Sequence, residues 1–244
     1  MNTKRQKLFI ILGGFFILNA MLAEFIGVKI ISLEANMGWQ LFNISLFGSI
    51  FSFDLTAGVI LWPVVFVMTD IINEHFGIRG VKFLSWLTSA LIVYAFIIVY
   101  LVINLAPATW WPNSQTEQGV PDMQLAFKAI FGQGLWIIIG SLISFMVGQL
   151  LDAMIFQKIK KMFADKMLWL RATVSTLFSQ FIDSYLVLFI AFYIGNNWSM
   201  QQVLAIGTGN YIYKFCIALL MIPLLYGVHW GIKKYLEKDN PAID

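Results

Sequence analysis

An all-α, polytopic membrane protein is the fold class that this 244-residue sequence predicts, and three observations carry the prediction. Hydrophobic residues make up 59% of the chain and charged residues only 12%, with a mean hydropathy of +0.78; soluble domains carry about 25% charged residues. Apolar runs long enough to cross a hydrocarbon core fall at about 8–31, 55–73, 82–105, 125–155, 172–194 and 204–232, which makes six spans. Finally, 13 of the 16 lysines and arginines lie before span 1, between spans 2 and 3, between spans 4 and 5, or after span 6. The positive-inside rule then puts both termini in the cytoplasm, as an even number of spans requires.

In span 1, Asn19 and Glu24 lie about 140° apart around a 3.6-residue helix, so they need not face one site. Asn19 is the better candidate for a polar cavity. Lys29 and Lys128 lie close enough to outer ends to snorkel to headgroups. Residues 40–55 are apolar but too broken for a span. Two β-rich runs flank Phe47-Gly48-Ser49, which predicts a short outer hairpin, with a re-entrant segment as the alternative.

Span 2 contains Pro63, expected to kink the helix. Beyond it, Asp70, Asn73 and Glu74 share one face at i, i+3 and i+4, with Phe66 and Trp62 one and two turns above. Residues 106–123 form an outer loop. In span 4, Gly140, Ser144 and Gly148 make a small-residue stripe suited to close helix approach, internal or in a homodimer. Gln149 and Asp152 lie beside its inner end, where Asp152 is either a ligand group or the partner of Arg171.

Span 5 carries Ser175, Ser179 and Asp183 on one stripe, with Thr176 and Gln180 on the next. Lipid offers such residues no hydrogen-bond partner, so they must face protein or water. In span 6, Lys214 is the natural partner for Asp183, and Pro223 bends the helix below. Asp70, Asp152 and Asp183 thus form the expected core of a polar, solute-recognising cavity.

Several classes are disfavoured. Cys216 is the lone cysteine, and His75 and His229 are the sole histidines, so no metal site is expected. Neither a Walker sequence nor a GxSxG elbow occurs. Neither an enzyme nor a cofactor nor a nucleic-acid partner is expected. The apolar run from Leu8 is too long for a cleavable signal. Without a linker or low-complexity stretch, residues 1–244 read as a single domain.

The segments WPVVFVMTDIINEHFG, VGQLLDAMIFQKIKK, RATVSTLFSQFIDSYLVLFIAF and YKFCIALLMIPLLYGV resemble those of the queuosine precursor transporter family, also called the putative vitamin uptake transporter family. The resemblance implies a bacterial inner-membrane importer of 7-deazaguanines such as preQ0 or preQ1. It implies recognition by Asn19, Phe66, Asp70, Glu74, Gln149, Asp152, Gln180, Asp183 and Lys214. Carboxylates would accept the N1–H and exocyclic amine, amides would meet the ring carbonyl, and Phe66 or Trp62 would cover the flat face. The alternatives are a capture subunit needing an energising partner, a carboxylate-based membrane enzyme, and an oligomeric scaffold.

Overall fold

The computed structural model describes residues 3–40, 44–46, 49–51, 53–132, 134–163 and 167–237. Helix α1 (Lys4–Ile26) begins at Thr3, whose side chain accepts from the Gln6 amide. Its outward stripe is Ile11, Phe15, Leu18 and Leu22, all exposed, while Asn19 and Glu24 are buried with Phe16 and Ala20. Helix α6 (Leu168–Leu188) shows the same inversion. Its Val174, Phe178 and Phe181 face outward, and Ser175, Thr176, Ser179 and Gln180 face inward. A soluble helix bundle would reverse this arrangement. The protein is a multi-pass membrane protein of helical architecture.

Among the described residues, five helical stretches are long and apolar enough to cross a bilayer: Lys4–Ile26, Trp62–Ile103, Met123–Phe163, Leu168–Ile194 and Met200–Leu220. The second, α3 (Trp62–Ile103), has 42 residues, too many for one crossing of a ~30 Å core. It is broken at Gly77, where φ is 72° and ψ 178°. The Phe9 ring of α1 meets Phe76 before the break at 4.9 Å and Phe83 after it at 6.4 Å. Farther along α1, Ala23 lies against Gly58 and Phe25 against Phe96. The chain therefore reverses at Gly77, running first against α1 and then along it. Only glycine tolerates this backbone region without strain. A Cβ there would meet nothing within 4 Å, so the penalty is purely conformational. Gly77→Ala is expected to destabilise the protein by ~1–3 kcal/mol, measured by unfolding in detergent.

Three expectations need correction. Pro63 does not kink a span; it sits in the first turn of α3, where its missing N–H is harmless. Span 4 is not continuous from 125 to 155. A short surface helix α4 (Met123–Phe131) stops at Gly132, and α5 (Leu135–Phe163) begins after Gly134. Span 6 is likewise divided into α7 (Met200–Leu220) and α8 (Ile222–Glu237), with Pro223 at the restart.

Between α1 and α3 lie α2 (Leu33–Met37) and four short strands: β1 (Ile30–Ser32), β2 (Ile44–Leu46), β3 (Ser49–Phe51) and β4 (Asp54–Thr56). The expected hairpin is β2–β3, antiparallel with Ile44 opposite Phe51; its turn residues Phe47 and Gly48 lie outside the described residues. A second antiparallel pair, β1–β4, was not foreseen. Buried Glu34 stabilises this end by accepting from the Phe53 amide at 2.8 Å.

The most extensively packed pair is α5 with α6. Gly140, near the start of α5, makes this approach close: an added Cβ would lie 3.1 Å from the Ala191 amide in the π-helical extension of α6, Phe189–Ile194. At the opposite end of the bundle, Glu74 pairs with Lys160 and Arg171, and the adjacent His75 meets His229 with its ring and accepts from Arg5 with its backbone carbonyl.

Candidate substrate site

Helices α3, α6, α7 and α8 border a cavity whose free space, open solvent at its mouth included, is about 500 Å³. Its apolar wall is Trp62, Phe66, Val67, Met221 and Leu225; its polar groups are Asp70, Thr173, Thr176, Gln180 and Lys214. The Trp62 and Phe66 rings are 6.1 Å apart and tilted by 38°, forming an aromatic flank one turn from Asp70. The Met221 break between α7 and α8 opens the wall facing them, because Pro223 cannot supply a continuing helix N–H.

Part of the cavity's hydrogen-bonding capacity is unspent, since Thr176 donates to Asp152 and Lys214 to Asp183 but other groups lack partners. Asp70 is 4% exposed and Gln180 2% exposed. Among the described residues, Asp70 Oδ1, both polar atoms of the Gln180 amide and Thr173 Oγ1 have no hydrogen-bond partner. Buried polar groups are almost always satisfied, and leaving one unmade costs ~1–3 kcal/mol. Here an acceptor-only carboxylate, an amide with both donor and acceptor, and a hydroxyl converge on one apolar-walled space.

The other expected residues are placed differently. Asp183 lies beside the cavity, ion-paired through Oδ2 with Lys214. Gln149 lies behind α3, where its Oε1 accepts from Thr69 Oγ1 at 2.7 Å. Asp152 is fully buried between α5 and α6 and accepts from Thr176 Oγ1 at 3.2 Å and Ser179 Oγ at 3.3 Å. It does not make the expected pair with Arg171. That role falls to Glu74, whose Oε1 is 2.8 Å from Arg171 and whose Oε2 is 3.1 Å from Lys160. Glu74 is therefore a clamp at the end of the bundle and is absent from the cavity wall. Asn19 turns back on its own helix, donating to Phe15 O at 2.8 Å. Its face of α1 does not reach the cavity wall.

The three aspartates consequently do not line one cavity; only Asp70 borders it. On α6 the lining stripe is Thr173, Thr176 and Gln180, while Ser175 and Ser179 turn to the helix interface. Thr173 was not anticipated, although it stands at i−3 from Thr176 and i−7 from Gln180, a spacing visible in the sequence.

The chain's segment 56–228 matches the sequence profile described as "Putative vitamin uptake transporter", which spans the cavity helices from β4 into α8. The chain belongs to the putative vitamin uptake transporter family. The family match encloses all the cavity residues, from Trp62 to Leu225. A relative from Bacillus subtilis (strain 168), named "Probable queuosine precursor transporter", is 28% identical over 195 residues, covering 78% of this chain and 77% of its own. No solved structure matches.

The Lys214–Asp183 pair carries a direct expectation within this family member. A lone carboxylate inside the bilayer costs ~3 kcal/mol. Lys214→Met should therefore destabilise the protein by about that amount, and Asp183→Asn added to it should restore most of the loss. Unfolding of both variants in detergent measures this; equal stability of the single and double variants would contradict the pairing.

Proposed function

We propose that this protein imports 7-deazaguanine precursors of queuosine, such as preQ0 or preQ1, across a bacterial inner membrane. The chain crosses the bilayer six times in this reading, with α3 supplying two spans through its reversal at Gly77 and both termini in the cytoplasm. The Arg5, Lys160, Arg171 end then faces the cytoplasm, in accord with the positive-inside rule. The relative's name and the family assignment support the substrate class.

The observation that carries the proposal is that Asp70 Oδ1 and the Gln180 amide, without hydrogen-bond partners among the described residues, border one space beside Trp62 and Phe66. A deazaguanine presents two adjacent donors, N1–H and the exocyclic amine, which one carboxylate can accept together. Its ring carbonyl accepts a hydrogen bond from the Gln180 amide N–H, and the pyrrole N–H, on another edge of the bicycle, donates to the Thr173 hydroxyl. The flat bicycle lies against the aromatic flank. Lys214 is held by Asp183 and so leaves Asp70 as the carboxylate available to the ligand. Asp152 and Gln149 act through α3 and α6 by fixing Thr176 and Thr69.

The test is uptake of labelled preQ0 and preQ1 into cells lacking queuosine synthesis and their own uptake, with and without this chain. Accumulation dependent on the chain is expected; equal accumulation without it refutes the proposal. Purified protein in liposomes separates a self-sufficient carrier from a capture subunit, since the latter binds ligand without accumulating it. Recovery of unaltered ligand excludes chemistry on it.

A further inference from the structure

A second concavity lies at the opposite end of the bundle from the β-strands, where the Gly77 turn, the end of α5, the start of α6 and α8 meet. Lys160, Arg171 and Lys233 face it together with Glu74, which is paired with Lys160 and Arg171, while Lys233 makes no ion pair among the described residues. His75 Nε2 and His229 Nδ1, 3.2 Å apart, tie α3 to α8 across its floor. Beside these polar groups the wall is apolar, with Met167 and Leu236. Trp169 and Trp230 on the flanking helices are exposed, and Lys234 lies 5.0 Å from the Trp230 ring. Exposed tryptophans with neighbouring lysines mark the headgroup level of a bilayer.

We propose that this groove binds the phosphate of an anionic phospholipid headgroup, with the glycerol and first acyl carbons against Met167 and Leu236. The Lys233 ammonium, exposed at the groove and without an ion pair among the described residues, suits an anion, and basic pockets between spanning helices suit such headgroups. The apolar wall favours a lipid over inorganic phosphate, which has nothing to place there. Lys233 is exposed and takes no part in the central cavity, so the site is independent of the substrate proposed above.

The experiment titrates the full-length protein in detergent with phosphatidylglycerol, phosphatidylcholine or inorganic phosphate, following thermal unfolding and lipid adducts by native mass spectrometry. Phosphatidylglycerol should raise the melting temperature and persist as an adduct, and phosphatidylcholine should do neither. Lys233→Gln should weaken phosphatidylglycerol binding about fivefold, the equivalent of the ~1 kcal/mol one lysine contributes near an anionic surface. Lys234→Gln, whose side chain lies outside the groove, should leave it unchanged. Equal effects of the two lipids overturn the proposal, and so does an equal effect of inorganic phosphate. The lipid comparison on the unaltered protein decides the matter even if a variant fails to fold.

Discussion

Asp70→Asn is expected to weaken ligand binding by about 10- to 100-fold and to abolish measurable uptake at low substrate concentration. A hydrogen bond to a charged group contributes ~1.5–3 kcal/mol, and two donors on one carboxylate set the upper part of that range. The change from carboxylate to amide also replaces one acceptor by a donor, which opposes the N–H edge of the ligand directly. Asp70 is buried and one of its oxygens has no protein partner among the described residues, so little folding energy depends on its charge. The variant should therefore remain in the membrane and elute as the parent does. Asp152→Asn is the contrasting case: Thr176 and Ser179 still have an oxygen to donate to, and the loss should be several-fold smaller. Ligand affinity for purified protein, measured beside uptake, tests both. Normal uptake by the Asp70 variant would remove the carboxylate from the recognition scheme.

What the sequence allowed, and what it did not, follows from the range of the interactions concerned. The helical, multi-pass character was legible because bilayer thickness acts on each segment separately, and the Asp183–Lys214 pair because few intramembrane cations compete for that carboxylate. Helix breaks were read less well. Pro63 reads as a mid-span kink because the start of α3 is set by β4 pairing with β1, a contact between residues 22 apart at Ser32 and Asp54 and 26 apart at Ile30 and Thr56, which no local pattern shows. Gly132 and Gly134 offered a local signal of the α4–α5 break that hydropathy obscured. The sequence leaves Asp152 open as either a ligand group or the partner of Arg171, for a different reason. Asp152 and Glu74 are both acidic and near the same end of the bundle, and only the packing of α3 against α5 decides which carboxylate arrives. Likewise, which hydroxyl stripe of α6 faces the cavity depends on α5 occupying the Ser175/Ser179 side.

Glu74→Ala is expected to destabilise the protein by ~3–5 kcal/mol, more than any change in the cavity wall. Arg171 is 1% exposed, and its guanidinium cannot shed its proton to escape burial. Removing the carboxylate 2.8 Å from it leaves a buried cation whose desolvation is no longer offset by that partner. The Phe156 ring, 5.5 Å away, compensates only in part. The loss extends beyond one contact, because Glu74 also holds Lys160 and because the Asn73 side chain beside it joins Ala153 and Gln157 of α5. These bonds fasten the last turn before Gly77 to α5 and α6. Arg171→Met in the Glu74→Ala background should recover much of the stability, since an apolar side chain of similar length fills the space without a charge. A double-mutant cycle on detergent unfolding isolates the coupling. Additive losses would show that the pair is incidental. A large coupling would show that the charges are retained for the geometry they impose on α3, the helix that carries Asp70 into the cavity.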